Sequence, residues 1–261
     1  MEGLSFVRRY AKMNITPEAA RRAPNKTMEF LVQGIIEGLR LLLTLDPEVV
    51  EITLRTLRVT GTATLASVLL GVPLGVFLGL KRFWGRRALL SLVYSGMGLP
   101  PTVVGLWVSL FLWRSGPLGS LKLIYTPAAM IIAQAVIATP LVASLTAAAL
   151  QQLPPRLRLQ ILALGASRWQ LIWQLLREAR LGVLAAVIAG FGGVISEVGA
   201  AAMVGGNIAG ETRVLTTAIM LEVSRGHFDL AIALSFILLA LVYAVVAALA
   251  WAQQGYRSPG T

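Results

Sequence analysis

Few residues in this chain have side chains suited to covalent chemistry. The 261 residues contain no cysteine and a single histidine, His227, which excludes disulfides, thiolate catalysis and any metal site built from several histidines. The chain also lacks the G-x-x-x-x-G-K-[ST] phosphate loop, the H-E-x-x-H zinc motif and the G-x-S-x-G nucleophile motif. We therefore predict no catalytic residue, no metal ligand and no cofactor, and an interfacial role for His227.

One ionisable residue lies deep in an apolar stretch. Residues 181–210 are rich in glycine and alanine, and Glu197 is the only Asp, Glu, Lys or Arg among them. We expect this carboxylate to lie within a membrane helix, where a charged side chain is costly unless it is paired or faces water. Two interpretations stay open: a functional group beside a pathway, and a buried hydrogen bond to a neighbouring helix.

The elements around these residues are predicted to be membrane helices. The chain is 56% hydrophobic and 13% charged, and its mean hydropathy is +0.75, which is typical of a lipid-embedded chain. A helix needs about 20 apolar residues to cross the bilayer. Five windows meet or approach that length: Val59–Leu80, Ala88–Trp113, Leu123–Pro155, Leu181–Ser196 and Leu230–Tyr256.

A sixth window, Phe30–Leu45, is shorter and contains Glu37 and Arg40. At a spacing of three residues these two side chains can neutralise each other on one helix face. We predict that this segment spans the membrane, with an interfacial amphipathic helix as the alternative.

Lysine and arginine are concentrated in alternate loops. Six lie in residues 1–28, four in residues 81–87 and five in residues 154–180. The positive-inside rule then places both termini and these loops in the cytoplasm, with residues 1–28 as an N-terminal extension and residues 257–261 as a C-terminal tail. Because the basic residues flank spans and form no basic stripe, we predict contact with membrane lipid and no binding of nucleic acid.

Three arginines fall on the predicted outer side of the membrane. Arg55, Arg58 and Arg213 would set up a positive potential that draws an anion toward the chain. The alternative is that they form solvated pairs with Glu51 and Glu211, which contribute little to stability.

The span that begins at Val59 carries a stripe of small residues. Its glycines recur every four residues, at Gly71, Gly75 and Gly79, so they share a helix face on which another backbone can approach closely. Three hydroxyl residues continue that face outward: Ser67, Thr64 and Thr60. The stripe is either a packing seam, with the hydroxyls bonded back to their own helix, or the lining of a hydrophilic path.

A polar, arginine-bearing segment separates two apolar runs at residues 154–180. It follows a span that ends on the cytoplasmic side, so we predict a surface loop that folds into short helices. Gly165 allows a turn between them, and Trp169 and Trp173 offer aromatic surface to a partner protein.

The sequence Leu-Ala-Leu-Gly-Ala-Ser at residues 162–167 resembles the cytoplasmic coupling motif of the permease subunits of ATP-binding-cassette (ABC) importers. The chain that follows resembles the tungstate branch of the molybdate, tungstate and sulfate permeases, most densely from residue 162 to residue 238. The stretches that carry this likeness include Ile195–Ala200, Met203–Ile208 and Thr212–Ile219. Two positions depart from the wider motif: Leu159–Ile161 replaces Glu-Ala-Ala, and Arg177–Glu178 replaces Leu-Pro.

The resemblance implies an all-α membrane protein with about six transmembrane helices, like the permeases of type I ABC importers. It implies a transport subunit and not an enzyme, located in a prokaryotic cytoplasmic (inner) membrane, with a permease domain at residues 29–256 and a coupling loop at residues 151–180. The implied partners are a second copy of the chain in a homodimer, separate ABC ATPase subunits and an extracytoplasmic oxyanion-binding protein. The expected cargo is tungstate, with molybdate or sulfate as alternatives. A secondary transporter driven by ions and a membrane-embedded enzyme are the rival classes.

Three groups of residues are expected to carry the transport function. The ATPase-coupling tip comprises Leu164, Gly165, Ala166, Ser167, Arg168 and Trp169. The pore or gate residues, expected near the dimer axis, are Ser196, Glu197 and Gly199. The outer mouth comprises Asn207, Thr212, Arg213, Thr216 and Thr217. There the hydroxyls and the guanidinium would meet a dianion, whereas a competing interpretation pairs Arg213 with Glu211 or Glu222.

Overall fold

A computed structural model of the chain describes residues 46–254, and before them the helical residues Val32, Ile35, Ile36 and Arg40. The predicted N-terminal extension and C-terminal tail lie outside the described residues, as does the predicted span Phe30–Leu45 apart from those four positions. In the described part every regular element is helical, so the predicted all-α fold class is confirmed.

Ten α-helices are described. They are α1 (Pro47–Leu80), α2 (Arg86–Gly96), α3 (Pro101–Leu112), α4 (Pro127–Gln151), α5 (Pro155–Ala163), α6 (Arg168–Glu178), α7 (Arg180–Ile195), α8 (Gly199–Gly205), α9 (Leu215–Arg225) and α10 (Phe228–Gln254). Among the described helices α1, α4 and α10 are each long and apolar enough to cross a membrane, and two bent pairs, α2 with α3 and α6 with α7, bring the number of possible spans to five.

The window Ala88–Trp113, which the sequence predicts as one span, is not a single straight helix. It forms α2 and α3, whose axes meet at 99°. The bend falls at Pro100 and Pro101, because proline has no N–H for the helix ladder and disfavours helical backbone in the residue before it. The window is predicted as one span because it lacks charged residues, and that criterion does not detect a bend.

The centre of the fold is α4, which packs against α1, α7, α8, α2 and α3. Its contact with α1 follows the glycine stripe. A Cβ added at Gly75 would lie 2.6 Å from the Ala143 carbonyl oxygen, and one at Gly71 would lie 2.9 Å from the Val142 Cβ. The two backbones therefore approach more closely than any larger side chain permits.

The hydroxyl residues beyond the stripe belong to the same contact. Thr60, Thr64 and Ser67 are all buried, and the Ser67 hydroxyl donates to the Thr64 carbonyl at 2.8 Å. The stripe is thus a packing seam in this conformation, but the Thr64 hydroxyl is buried without a hydrogen-bond partner among the described residues, so the predicted back-bonding holds for Ser67 and not for Thr64.

The two ends of the bundle differ. At one end α4 continues into the hairpin of α5 and α6, whose Leu171 and Leu175 pack with Leu150 of α4. At the other end the first turns of α1 project beyond the start of α4, and Val49 and Ile52 pack against α9 and α10. Each end carries one of the predicted functional regions.

Candidate functional site

In the hairpin of α5 and α6, local sequence signals end the first helix and begin the second. Gly165 adopts a left-handed conformation with φ of +81°, which costs glycine little. Ser167 then caps α6, since its hydroxyl accepts the Gln170 N–H at 3.4 Å and its own N–H donates to the Gln170 side chain at 2.8 Å. The predicted pair of short helices joined at Gly165 is confirmed.

The outer surface of this hairpin is apolar and exposed. Leu164, Trp169 and Trp173 expose 88%, 81% and 70% of their surface, whereas Leu171 and Leu175 on the opposite face of α6 are buried. Large apolar side chains exposed together on a helix are typical of surfaces that contact another protein or a membrane, and contact with an ATPase stays a prediction. We call these three exposed residues, together with Gly165 to Arg168, the coupling surface.

Two arginines connect this end of the bundle to α1. Arg158 of α5 donates to the Leu80 carbonyl at 3.2 Å, and Arg86 of α2 donates to the Leu78 carbonyl at 2.8 Å. The last carbonyls of a helix lack intrahelical donors and carry partial negative charge, so cations stabilise this terminus. The charge count in these loops predicted their side of the membrane but not this capping role.

Glu197 does not lie within a continuous helix, contrary to the expectation from its apolar surroundings. The chain breaks between α7 and α8 at Ser196–Val198. Glycines 190, 192 and 193 weaken the end of α7, and the Ser196 hydroxyl donates to the Gly192 carbonyl at 2.8 Å. The Glu197 carboxylate accepts the Ala200 N–H at 2.9 Å, so it binds the first turn of α8.

The break is packed tightly against α3. A Cβ added at Gly199 would lie 2.7 Å from the Thr102 Cγ2, and one at Gly105 would lie 2.7 Å from the Ala200 Cα. The structure therefore brings the three predicted gate residues together at one junction, with Ser196 exposed and both Glu197 and Gly199 half-buried. Their role in gating stays a prediction.

The predicted outer mouth is an ordered turn between α8 and α9. α8 ends at Gly205, and Gly206 and Asn207 have positive φ angles of 71° and 51°. The Thr212 hydroxyl is fully buried and accepts the Ile208 N–H at 2.9 Å.

The other hydroxyls of the mouth also bond to backbone. Thr217 accepts the Val214 N–H at 3.1 Å, and Thr216 donates to the Glu197 carbonyl at 3.3 Å. Asn207 donates to the Thr217 carbonyl at 3.3 Å. In this conformation these groups hold the turn against α9 and the α7–α8 break, and their contact with an anion stays a prediction.

The competing interpretation expected Arg213 to pair with Glu211 or Glu222. The structure shows neither pair. The Arg213 guanidinium lies 3.7 Å from Glu48 at the start of α1, while Glu222 bonds Arg225 at 3.0 Å and His227 at 2.8 Å. The Arg213 Nε is buried and has no hydrogen-bond partner within the described residues. A buried donor of this kind is available to an acceptor that the fold does not supply.

Arg55, one of the predicted outer arginines, has a structural role that sequence reasoning did not identify. It donates to the Arg213 carbonyl at 3.2 Å and to the Gly210 carbonyl at 2.6 Å, and it pairs with Glu51. These bonds join α1 to a turn more than 150 residues away. No local signal in the sequence encodes such a long-range contact.

Arg58 is the third arginine of the predicted outer set. With Arg55, Glu51 and Glu211 it lines a cleft of 570 Å³. Among residues 46–254, no group of three or more histidines, cysteines and carboxylates is arranged to hold a metal ion. This end of the bundle is therefore a surface of arginines, carboxylates and backbone-bonded hydroxyls.

Comparison with known proteins identifies the family. The family of the binding-protein-dependent transport system inner membrane component matches residues 71–258, which is more than half of the chain. The chain belongs to this family. It is accordingly a membrane-embedded transport subunit. Membership of this family counts against the rival interpretation as a membrane-embedded enzyme.

Two relatives in this permease family are similar along most of their length. The tungstate uptake system permease protein TupB of Peptoclostridium acidaminophilum is 39% identical over 218 residues, which cover 84% of this chain and 96% of the relative. A probable anion ABC transporter permease protein of Haloferax volcanii is 42% identical over 201 residues, which cover 75% and 87%.

A solved structure supports the permease fold. The inward-facing MetNI methionine ABC transporter contains a chain that matches with a TM-score of 0.61 and 22% identity, over 79% of this chain and 94% of that one. At this identity the likeness concerns the fold alone.

Proposed function

We propose that this permease is the membrane subunit of an ABC importer for a tetrahedral oxyanion, tungstate before molybdate or sulfate. The observation that carries the substrate is the 39% identity to a tungstate uptake permease over 96% of that relative. The name of the second relative, an anion permease at 42% identity, supports the same chemical class. Molybdate remains the second candidate, because both ions are tetrahedral dianions of nearly equal size.

The proposal includes two copies of the chain, two separate ATPase subunits and an external binding protein. The chain has no phosphate loop of its own, so a partner must hydrolyse ATP. The coupling surface supports docking of that ATPase, since it presents Trp169 and Trp173 on a capped helix. In this arrangement both termini and the coupling surface lie in the cytoplasm, and the Arg213 turn lies outside.

Transport would then proceed by movement of the hairpin relative to the bundle. When the ATPases close, they displace α5 and α6. Arg158 transmits this displacement to the end of α1 through its bond to the Leu80 carbonyl. Because α1 and α4 are closely packed along the glycine stripe, they move together as a rigid pair and change access at the α7–α8 break.

At the outer end, Arg213 and Arg58 supply positive charge to an arriving dianion. Arg213 is better suited to bind it, because a guanidinium offers a planar fork of donors and its Nε has no partner among the described residues. Glu197 carries the same charge sign as the cargo, so it acts at the break as a gate or a helix support and does not bind the anion.

The test is uptake by proteoliposomes that contain the permease and its ATPase, with the binding protein outside. We expect ATP-dependent accumulation of tungsten, measured by mass spectrometry, that excess molybdate reduces more than excess sulfate does. Vesicles without ATP are the control. Accumulation of sulfur and not tungsten would overturn the substrate assignment, whereas ATP-independent uptake driven by a proton or sodium gradient would overturn the importer class.

A further inference from the structure

A second cleft lies between the end of α3 and the start of α4. It has a volume of 830 Å³ and is lined by Leu112, Trp113, Arg114, Gly119, Lys122, Ile124 and Tyr125. Because the other end of α4 leads into the coupling surface, this cleft lies at the opposite end of the bundle. Neither the transport mechanism nor the predicted outer mouth uses it.

The charge in this cleft has one sign. Arg114 and Lys122 are its only lining residues with a formal charge, and neither has an ion-pair partner among the described residues. The cleft beside α1 is different, since Glu51 and Glu211 line it together with its two arginines. Two unpaired cations in one concave surface favour an anionic ligand with several acceptor oxygens.

The rest of the lining is suited to the membrane interface. Trp113 and Tyr125 meet edge to face, with ring centroids 6.2 Å apart, and both are partly exposed. Rings of this kind lie at the level of lipid headgroups, with an apolar body and a polar tip. Adjoining them, α3 exposes a continuous apolar face: Val103, Leu106, Trp107, Leu110 and Phe111.

The backbone of the cleft is constrained at Lys122 and Tyr125. Lys122 and Tyr125 have positive φ angles of 51° and 61°, which cost non-glycine residues free energy and persist only where the surroundings enforce them. The Tyr125 N–H donates to the Val204 carbonyl at 2.9 Å. A Cβ added at Gly206 would lie 2.8 Å from the Tyr125 ring, so the cleft directly borders the turn that begins the outer mouth.

We infer that this cleft binds the phosphate headgroup of an anionic phospholipid, with the acyl chains along the exposed face of α3. Charge complementarity selects the headgroup, and the aromatic pair and apolar face select a lipid over a free anion. A lipid bound here supports the Gly206–Asn207 turn through Tyr125. This inference is independent of which oxyanion the permease transports.

The test measures which lipids remain bound to the permease–ATPase complex taken from nanodiscs of phosphatidylglycerol and phosphatidylethanolamine, by native mass spectrometry. We expect the complex to retain phosphatidylglycerol preferentially, and the preference to fall about fivefold for each cation removed in Arg114→Gln and Lys122→Gln. The matched control is Arg58→Gln, which removes a cation on the same side from the cleft that contains carboxylates, and it should retain the preference. The exchange of Arg114→Lys with Lys122→Arg should also retain it, which separates loss of charge from misfolding.

Two results would overturn the inference. One is an unchanged lipid preference in the double variant Arg114→Gln with Lys122→Gln. The other is release of phosphatidylglycerol from the wild-type complex when inorganic phosphate or tungstate is added, because the cleft would then be a site for free anions.

Discussion

At the scale of single residues, Glu197 combines two properties that mutation can separate. Its carboxylate oxygen accepts the Ala200 N–H at 2.9 Å, and it also places a negative charge at the α7–α8 break. An acceptor oxygen is sufficient for the first property, whereas the second requires ionisation. A glutamine retains the oxygen and lacks the charge.

We therefore expect Glu197→Gln to lower oxyanion uptake while the melting temperature of the purified permease stays near that of the wild type. Glu197→Ala should lower both, because loss of the helix-end acceptor costs about 1 kcal/mol. Wild-type uptake by Glu197→Gln would show that the residue is only a structural acceptor.

Arg213 is likewise tested together with its observed partner, Glu48. Arg213→Glu reverses the local charge and places it beside another carboxylate, so we expect uptake to be lost while dimer formation and ATPase docking persist. Arg213→Lys should be intermediate, because lysine retains the charge without the planar fork.

The decisive control is the charge swap of Arg213→Glu with Glu48→Arg. If Arg213 contacts the anion, the swap fails to restore uptake. Restored uptake would instead identify Arg213 and Glu48 as a structural pair. Glu48 is the partner to test in place of Glu211 and Glu222, because its carboxylate lies 3.7 Å from the Arg213 guanidinium.

At the scale of elements, the contact between α1 and α4 depends on the absence of side chains. Gly75→Ala would place a Cβ 2.6 Å from the Ala143 carbonyl oxygen, whereas Gly61 in the same helix has nothing within 4 Å. We expect Gly75→Ala to destabilise the permease by about 1–3 kcal/mol through overpacking. Gly61→Ala should be neutral or slightly stabilising, because alanine is the better helix former.

Thermal or denaturant unfolding in detergent measures this difference, and uptake measures its functional consequence. If α1 and α4 move as one body, Gly75→Ala should reduce transport even at temperatures where the protein stays folded. Equal stability of the two variants would contradict the close packing of this seam.

At the scale of the whole molecule, transport requires the hairpin to bind a second protein. Trp169 and Trp173 are exposed on α6 and anchor little of the fold. We expect Trp169→Ala with Trp173→Ala, and likewise Gly165→Asp with Trp169→Ala, to abolish co-purification of the ATPase while membrane insertion is retained. Buried aromatic anchors dominate the energy of protein interfaces, so the loss should exceed about tenfold in affinity.

Trp84 provides the matched control for this experiment. It lies in the turn after α1, at the same end of the bundle, and is 100% exposed, but it is outside the coupling surface. Trp84→Ala should leave ATPase binding unchanged. Undiminished co-purification from the double tryptophan variant would exclude the hairpin tip as the docking site.

The sequence alone determined the features that depend on composition and short-range order. Long apolar windows predicted membrane helices, because the bilayer requires length and hydropathy. Glycines at every fourth position predicted a helix face that another backbone can approach, and Gly165 predicted the turn of the hairpin, because both signals act within a few residues of the chain. The motif after residue 162 also indicated the permease family correctly.

Tertiary structure alone decided the features that depend on residues far apart in the chain. Arg55 donates hydrogen bonds to a turn more than 150 residues away. Arg213 pairs with Glu48 and not with Glu211 or Glu222, which are nearer to it in the sequence. The helix break at Glu197 and the 99° bend after α2 have local contributions from glycine and proline, but hydropathy did not reveal them, because the apolar composition of a window is the same for a straight helix and a broken one. Hydropathy is a sum over a window and carries no direction, whereas hydrogen bonds and ion pairs depend on distances of a few ångströms that only the folded chain fixes.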